Sequence, residues 1–257
     1  MIDNSTSAMP NNTSGDTLDP EEIERFSRIA DEWWDPLGKF RPLHQLNPIR
    51  LQFIRDEVCR HFDKDSRAPS PLKGLNILDI GCGGGLLCEP MSRLGANVTG
   101  VDPANRTIEA ASKHAKDMDL DINYRAIRAE QLLDAGEQFD IVVNMEVIEH
   151  VPDVPAFLKI CAGLIKPGGL MLASTLNRTL KSYGLAIIGA EYIMRWLPTG
   201  THQWQRFVTP DELQQALLGA GLTDIEQTGM SYNPLTGTWA LGSDMEVNYL
   251  ASAKKPA

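Results

Sequence analysis

Two hydrophobic rhythms alternate along the chain. Short, mostly apolar runs at Ile77–Ile80, Val98–Val101, Phe139–Val143 and Leu170–Ala173 are separated by stretches in which apolar residues recur every three or four positions. The runs predict buried strands, and the spaced stretches predict amphipathic helices. The predicted strands are 76–80, 97–102, 124–126, 139–144, 170–175, 222–227 and 247–252. Helices are predicted to open at Asp19–Pro20, Asn47–Pro48 and Thr209–Pro210, where a capping side chain precedes a proline at the first helical position. Others are expected from Leu86, through Ile108–Ala111 and over 154–164. Strands and helices alternating at this pitch predict an α/β fold with a mainly parallel sheet covered on both faces.

Three regions interrupt that rhythm. Residues 1–18 are rich in Ser, Thr, Asn and Gly and read as a disordered tail. Residues 19–75 form an N-terminal helical cap whose apolar stripe includes Ile23, Phe26, Ile29, Trp33 and Trp34; the two tryptophans suit either core packing or a roof over a pocket. Phe40–His44 reads as a loop between the helices of this cap. The remaining residues, 76–257, form the sheet domain. Within it, residues 177–208 are an insertion with an apolar helix, Tyr183–Ala190, flanked by Arg178, Lys181, Arg195 and Trp196. Such a segment is too short to span a bilayer but fits a lid or a helix lying on a membrane surface.

The formal charge of −10 argues against broad nucleic-acid binding. The four cysteines form no C-x-x-C pair, as expected in a reducing compartment. The N-terminal stretch has the pattern of neither a secretory signal nor an Arg-rich transit peptide. A bacterial cytoplasmic protein, peripheral at the inner membrane if the insertion docks there, is the expected setting.

The candidate chemistry gathers at strand ends. Asp79 closes an apolar run and Gly81, Gly83 and Gly85 follow at once, a strand–turn–helix arrangement that suits a nucleotide-like cofactor. Leu86 stands where a dinucleotide motif would place its third glycine, which disfavours NAD chemistry. The Asp79-led Gly-x-Gly-x-Gly resembles the first motif of S-adenosylmethionine (SAM) methyltransferases. Asp102 ends the second predicted strand, where a carboxylate accepts from ribose hydroxyls; it also suits a helix cap before Pro103. Arg50 sits early in a helix, where the dipole disfavours a cation, so a compensating anion is expected there. After the fourth strand, Glu146, Glu149 and His150 have i, i+3, i+4 spacing. On a helix they would share a face and could bind one divalent cation, Mg²⁺ by the oxygen ligands; on a turn that argument lapses. The same residues also suit a histidine base oriented by Glu149.

Together with Met145–His150, Lys166–Gly169 and Ser174–Arg178, the glycine motif resembles the ubiquinone-biosynthesis O-methyltransferase family of the class I SAM-dependent methyltransferases. Phe40–His44 and Asn47–Arg50 carry the resemblance into the N-terminal cap, and Gly189–Ile193 and Gly200–His202 into the insertion, so that it runs from about Ile23 to Ser252. It implies a Rossmann-like, seven-stranded sheet whose last two strands form an edge hairpin. It also implies O-methylation of catechol-type polyprenylated intermediates at two steps, on 2-polyprenyl-6-hydroxyphenol and on 3-demethylubiquinol. By the same resemblance Arg50, Gly81, Asp102 and Met145 contact SAM, and Glu146, Glu149 and His150 hold a divalent cation. The insertion, around residues 180–197, is associated with the lipid surface, and other enzymes of the pathway are possible partners. The alternatives are another small-molecule SAM methyltransferase and an inactive SAM-binding or membrane-docking subunit.

Overall fold

The computed structural model describes residues 23–24, 27–184, 204–233 and 236–257. The expected tail, the Asp19–Pro20 helix start and the body of the apolar insertion lie outside the described residues. After a 3-10 turn at Ala30–Glu32, the elements run α1 (Arg41–His61), β1 (Asn76–Ile80), α2 (Cys88–Arg93), β2 (Asn97–Val101), α3 (Asn105–Asp117), β3 (Asn123–Arg125), α4 (Ala129–Asp134) and β4 (Phe139–Met145). A 3-10 turn at Ile148–His150 leads to α5 (Val154–Gly163) and β5 (Ile165–Leu176). Past the insertion come α6 (Pro210–Gly219), β6 (Thr223–Asn233), β7 (Thr238–Gly242) and β8 (Asn248–Lys254).

One sheet has the order β3-β2-β1-β4-β5-β8-β6-β7. Strands β1 to β5 pair in parallel, and β8 enters antiparallel beside β5. The chain moves outward from β1 through β2 to β3, then returns to the other side of β1 as β4. Neighbouring connections therefore diverge between β1 and β4, and a crevice opens at the carboxyl ends of those strands.

The sheet has eight strands rather than seven. The edge hairpin is formed by β6 and β7, while the last strand inserts between β5 and β6. The Thr238–Gly242 stretch is short and half exposed, and its Trp239–Ala240–Leu241 run is only three residues long. A second difference lies in α1, which is continuous across Asn47–Pro48 and opens at Arg41 with Pro42 in its first turn. Pro48 is accommodated inside the helix. Asn47 does not cap: its side chain donates to Leu86 O at 2.6 Å and accepts from Arg50 at 2.8 Å.

Alternate strand residues pack on opposite faces of the sheet. Leu78, Ile80 and Val142 meet Leu132, Phe157 and Leu158 on one side. Ile77, Ile141 and Val143 meet Phe53, Ile54 and Met91 on the other. Burial on both faces explains why these strands read as apolar runs without strict alternation. It also places α1 in the layer that covers the sheet, so Arg50 is carried to the carboxyl end of β4.

Candidate active site

The turn after β1 is bent by glycines that are held close to neighbouring side chains. Gly81 (φ +71°) and Gly85 (φ +86°) occupy the left-handed region, where a side chain is strained. A Cβ on Gly81 would stand 2.6 Å from Val147 Cγ2, and one on Gly85 2.0 Å from Tyr124 Oη. Asp79 is buried behind this turn and accepts from Cys88 Sγ at 3.2 Å. Burial pushes its carboxyl up to about 7. Asp102 follows β2 and accepts from Ala104 N (2.9 Å) and Gly83 N (3.3 Å), which ties down the glycine turn; it does not cap the next helix, which opens at Asn105 behind Ala104. Burial raises its carboxyl to about 6 against those two hydrogen bonds.

Met145 is buried at the end of β4, paired in register with Ser174 of β5. The next residue, Glu146, has φ +54°, which turns its side chain out of the strand path. Its carboxylate pairs with Arg50 Nη1 and accepts from Ser174 Oγ at 2.6 Å. Arg50 is 3% exposed and also donates to Asn47 Oδ1 (2.8 Å) and Leu43 O (3.3 Å). Its Nε is buried and lacks an acceptor. The anion expected near Arg50 is therefore Glu146, brought from 96 residues away.

The shared helical face expected for Glu146, Glu149 and His150 does not form. Only Ile148–His150 is helical, as a single 3-10 turn, and Glu146 precedes it in a left-handed conformation. Among the described residues no group of three His, Cys, Asp or Glu side chains is arranged to hold a metal ion. Glu146 is committed to Arg50. Glu149 is buried, accepts from Thr175 Oγ1 at 2.8 Å, and keeps Oε1 without a partner. Burial raises its pKa, and neighbouring His150 opposes that rise. Glu149 Oε1 and the His150 ring offer atom types that a divalent cation accepts, but Glu146 is not a third ligand, being bonded to Arg50 and Ser174. From Val151, the residue after His150, a groove of about 1110 Å³ runs past Arg178 to Phe207 and Val208.

The turn also fits a nucleoside-bearing ligand. It offers glycine backbone, the Asp102 carboxylate at the end of β2, and three buried donors without acceptors, Arg50 Nε, Trp33 Nε1 and Tyr124 Oη. Four contributors were not singled out from the sequence. Ser174, Thr175 and Asn47 reach the site only through strand register or helix continuity. Trp33 reads most simply as core, with a roof over the pocket the lesser reading.

Comparison with known proteins identifies the family and the fold. Residues 44–227 match the model of a methyltransferase domain family. The chain is 58% identical over 245 residues to the ubiquinone biosynthesis O-methyltransferase of Brucella ovis, covering 95% of this chain and 99% of that protein. A protein of the same name from a Chelativorans species is 59% identical over 240 residues, covering 93% and 95%. Among solved structures, magnesium protoporphyrin IX methyltransferase from Synechocystis with bound S-adenosylhomocysteine (SAH) superposes with TM-score 0.60 at 21% identity, covering 92% of this chain and 94% of that one. A SAM-dependent methyltransferase from Thermotoga maritima superposes with TM-score 0.62 at 18% identity, covering 91% and 98%. At such identities these two establish the fold alone.

Proposed function

Because the chain belongs to the ubiquinone biosynthesis O-methyltransferase family, we propose that it methylates a ring hydroxyl of catechol-type polyprenylated precursors, acting on both 2-polyprenyl-6-hydroxyphenol and 3-demethylubiquinol. Within this reading it is a SAM-dependent enzyme. The observation that carries the residue assignment is the placement of the Glu149–His150 turn at the end of β4, beside the strand whose glycine turn faces the same crevice.

SAM supplies, when bound, a methyl group activated by the sulfonium. The chain has to bind, align and handle one proton. Asp102 accepts from the ribose hydroxyls, the turn Gly81–Gly85 lets backbone approach the ligand, and buried Asp79 and Met145 shape the floor. Arg50 is held in place by Glu146. On the acceptor side His150 takes the phenol proton, and the Glu149 carboxylate steadies the charged imidazole. A second reading is favoured by the unpartnered Glu149 Oε1: Glu149 and His150 hold Mg²⁺, which would favour the phenolate by lowering its pKa.

The insertion at 177–208 is where we place contact with the lipid surface, as a polyprenyl substrate would require. Supporting this, Leu180 is 85% exposed beside Lys181, and Tyr183 and Trp204 meet edge to face at 6.0 Å where the insertion leaves and rejoins the domain. No helix among the described residues is long and apolar enough to cross a membrane. Association with other enzymes of the pathway is part of the same proposal.

The test is incubation of purified protein with SAM and a prenylated catechol, with and without prior chelation, read by mass spectrometry. The expected product carries one added methyl on oxygen. Turnover of a different acceptor, with none of the catechol, would overturn the substrate assignment. Activity lost on chelation and restored by Mg²⁺ selects the second reading, and activity unchanged selects the His150 base.

Asp102 gives a pH signature. Its carboxyl titrates near 6, and only the charged form accepts from both ribose hydroxyls. Affinity should therefore be full above that pH and fall below it, with SAH bound about tenfold more weakly at pH 5 than at pH 7.5. Asp102→Asn should be weak at both values. A wild-type dissociation constant that does not change over this range would remove Asp102 from the ribose site.

A further inference from the structure

We propose that Trp33 is a cofactor-binding residue whose indole N–H donates to the carboxylate at the amino-acid end of SAM. The proposal rests on the reading of the glycine turn as the SAM site and assigns a residue within it.

Trp33 lies flat along the turn. A Cβ on Gly83 would stand 2.4 Å from its Cη2, and a Cβ on Gly84 would stand 2.4 Å from its Cγ. The ring is fixed from several sides. It stacks on Phe40 with centroids 3.8 Å apart and planes 10° apart. Its own carbonyl is bonded to the His44 ring at 2.8 Å. The adjacent Trp34 donates from Nε1 to Gly84 O at 2.9 Å and stacks on His114 at 3.5 Å. His114 in turn contacts the buried Glu89 at 2.6 Å.

Trp33 is thus 7% exposed and anchored by its neighbours, yet its Nε1 is buried without any acceptor. A buried donor is normally paired, and one left open beside a binding turn is explained when the ligand brings the acceptor. Arg50 Nε is a second such donor, also carried by the N-terminal segment, while Tyr124 Oη, a third, stands on the β3 side against Gly85. The charge of Arg50 is already met by Glu146, so what Arg50 and Trp33 both lack is an acceptor for a buried N–H, and a carboxylate is the strongest acceptor SAM carries. SAM has a single anionic group, the carboxylate of its amino-acid end. The ribose is claimed by Asp102 from the β2 side, which leaves that carboxylate for the donors of the N-terminal segment.

Trp33→Phe keeps a stacked ring and removes the N–H. Titration calorimetry with SAH and with 5′-methylthioadenosine separates the two ends of the ligand, because the second keeps adenosine and sulfur but lacks the amino-acid end. The expected result is SAH weakened about tenfold or more in the variant, with methylthioadenosine within twofold of wild type. Equal weakening of both ligands, or of neither, would overturn the proposal. Should the variant not fold, the wild-type indole ¹H–¹⁵N spectrum answers the same question. The Trp33 signal should shift downfield with SAH and not with methylthioadenosine, and its failure to do so would also overturn the proposal. Absence of SAH binding to wild type would instead defeat the underlying reading of the site.

Discussion

His150→Ala is expected to lower kcat by two to four orders of magnitude, the usual contribution of a positioned acid–base group, while changing SAH affinity less than twofold. The split follows from position. His150 ends the 3-10 turn after β4, whereas the polar groups proposed for the cofactor lie on the β1 turn, after β2 and on α1, and only apolar Met145 is on β4. Removing the imidazole takes away the proton acceptor, or one of two cation donors, in either reading of its role. The ligand-side contacts stay intact. Steady-state kinetics with saturating SAM, together with SAH titration, measure both quantities. A variant turning over within threefold of wild type would take His150 out of the chemistry.

Arg50→Met should produce the largest loss of stability. Arg50 is buried against Glu146, Asn47 Oδ1 and Leu43 O, and methionine of similar length satisfies none of them. Breaking one side of a buried ion pair costs several kcal/mol, because the remaining charge has lost its partner. Here the Glu146 side chain keeps Ser174 and is 19% exposed, so some solvation is recovered. The expected cost is therefore about 2–4 kcal/mol, or a drop of roughly 5–15 °C in Tm for a chain of this size. Arg50→Lys, which keeps the charge without the fork, should fall between. Thermal unfolding without ligand is the measurement. A Tm within 1 °C of wild type would mean that the pair does not organise the site.

What the sequence made legible was local. The β1 run, the glycine turn and Asp102 lie within one strand–helix–strand unit, so their spacing alone brings them together. The Arg50–Glu146 pair was half legible: dipole reasoning called for an anion near Arg50, but only folding identifies which one. The i, i+3, i+4 spacing puts Glu146 with Glu149 and His150 only if the segment is a helix, and the metal set otherwise rests on the family resemblance. A left-handed φ at a residue other than glycine leaves no mark in the sequence, and it sends that carboxylate elsewhere. Pro48 was read as a helix start, since nothing local distinguishes a first-turn proline from one tolerated inside a longer helix. The extra edge strand β7 escaped for a related reason: a short, half-exposed strand offers only three apolar residues, Trp239–Leu241, to declare it. Trp33 looked like core, and it is buried; its partner, a glycine turn fifty residues on, is again a product of the fold.

The central claim is that the cofactor lies over the turn after β1, at the carboxyl ends of β1 and β4. An electron-density map from crystals grown with SAH tests it most directly. The account predicts the ribose hydroxyls on Asp102, the sulfur beside the Gly81–Gly83 turn, and the amino-acid end against Arg50 and Trp33. Density for SAH elsewhere, with this turn empty, would contradict it.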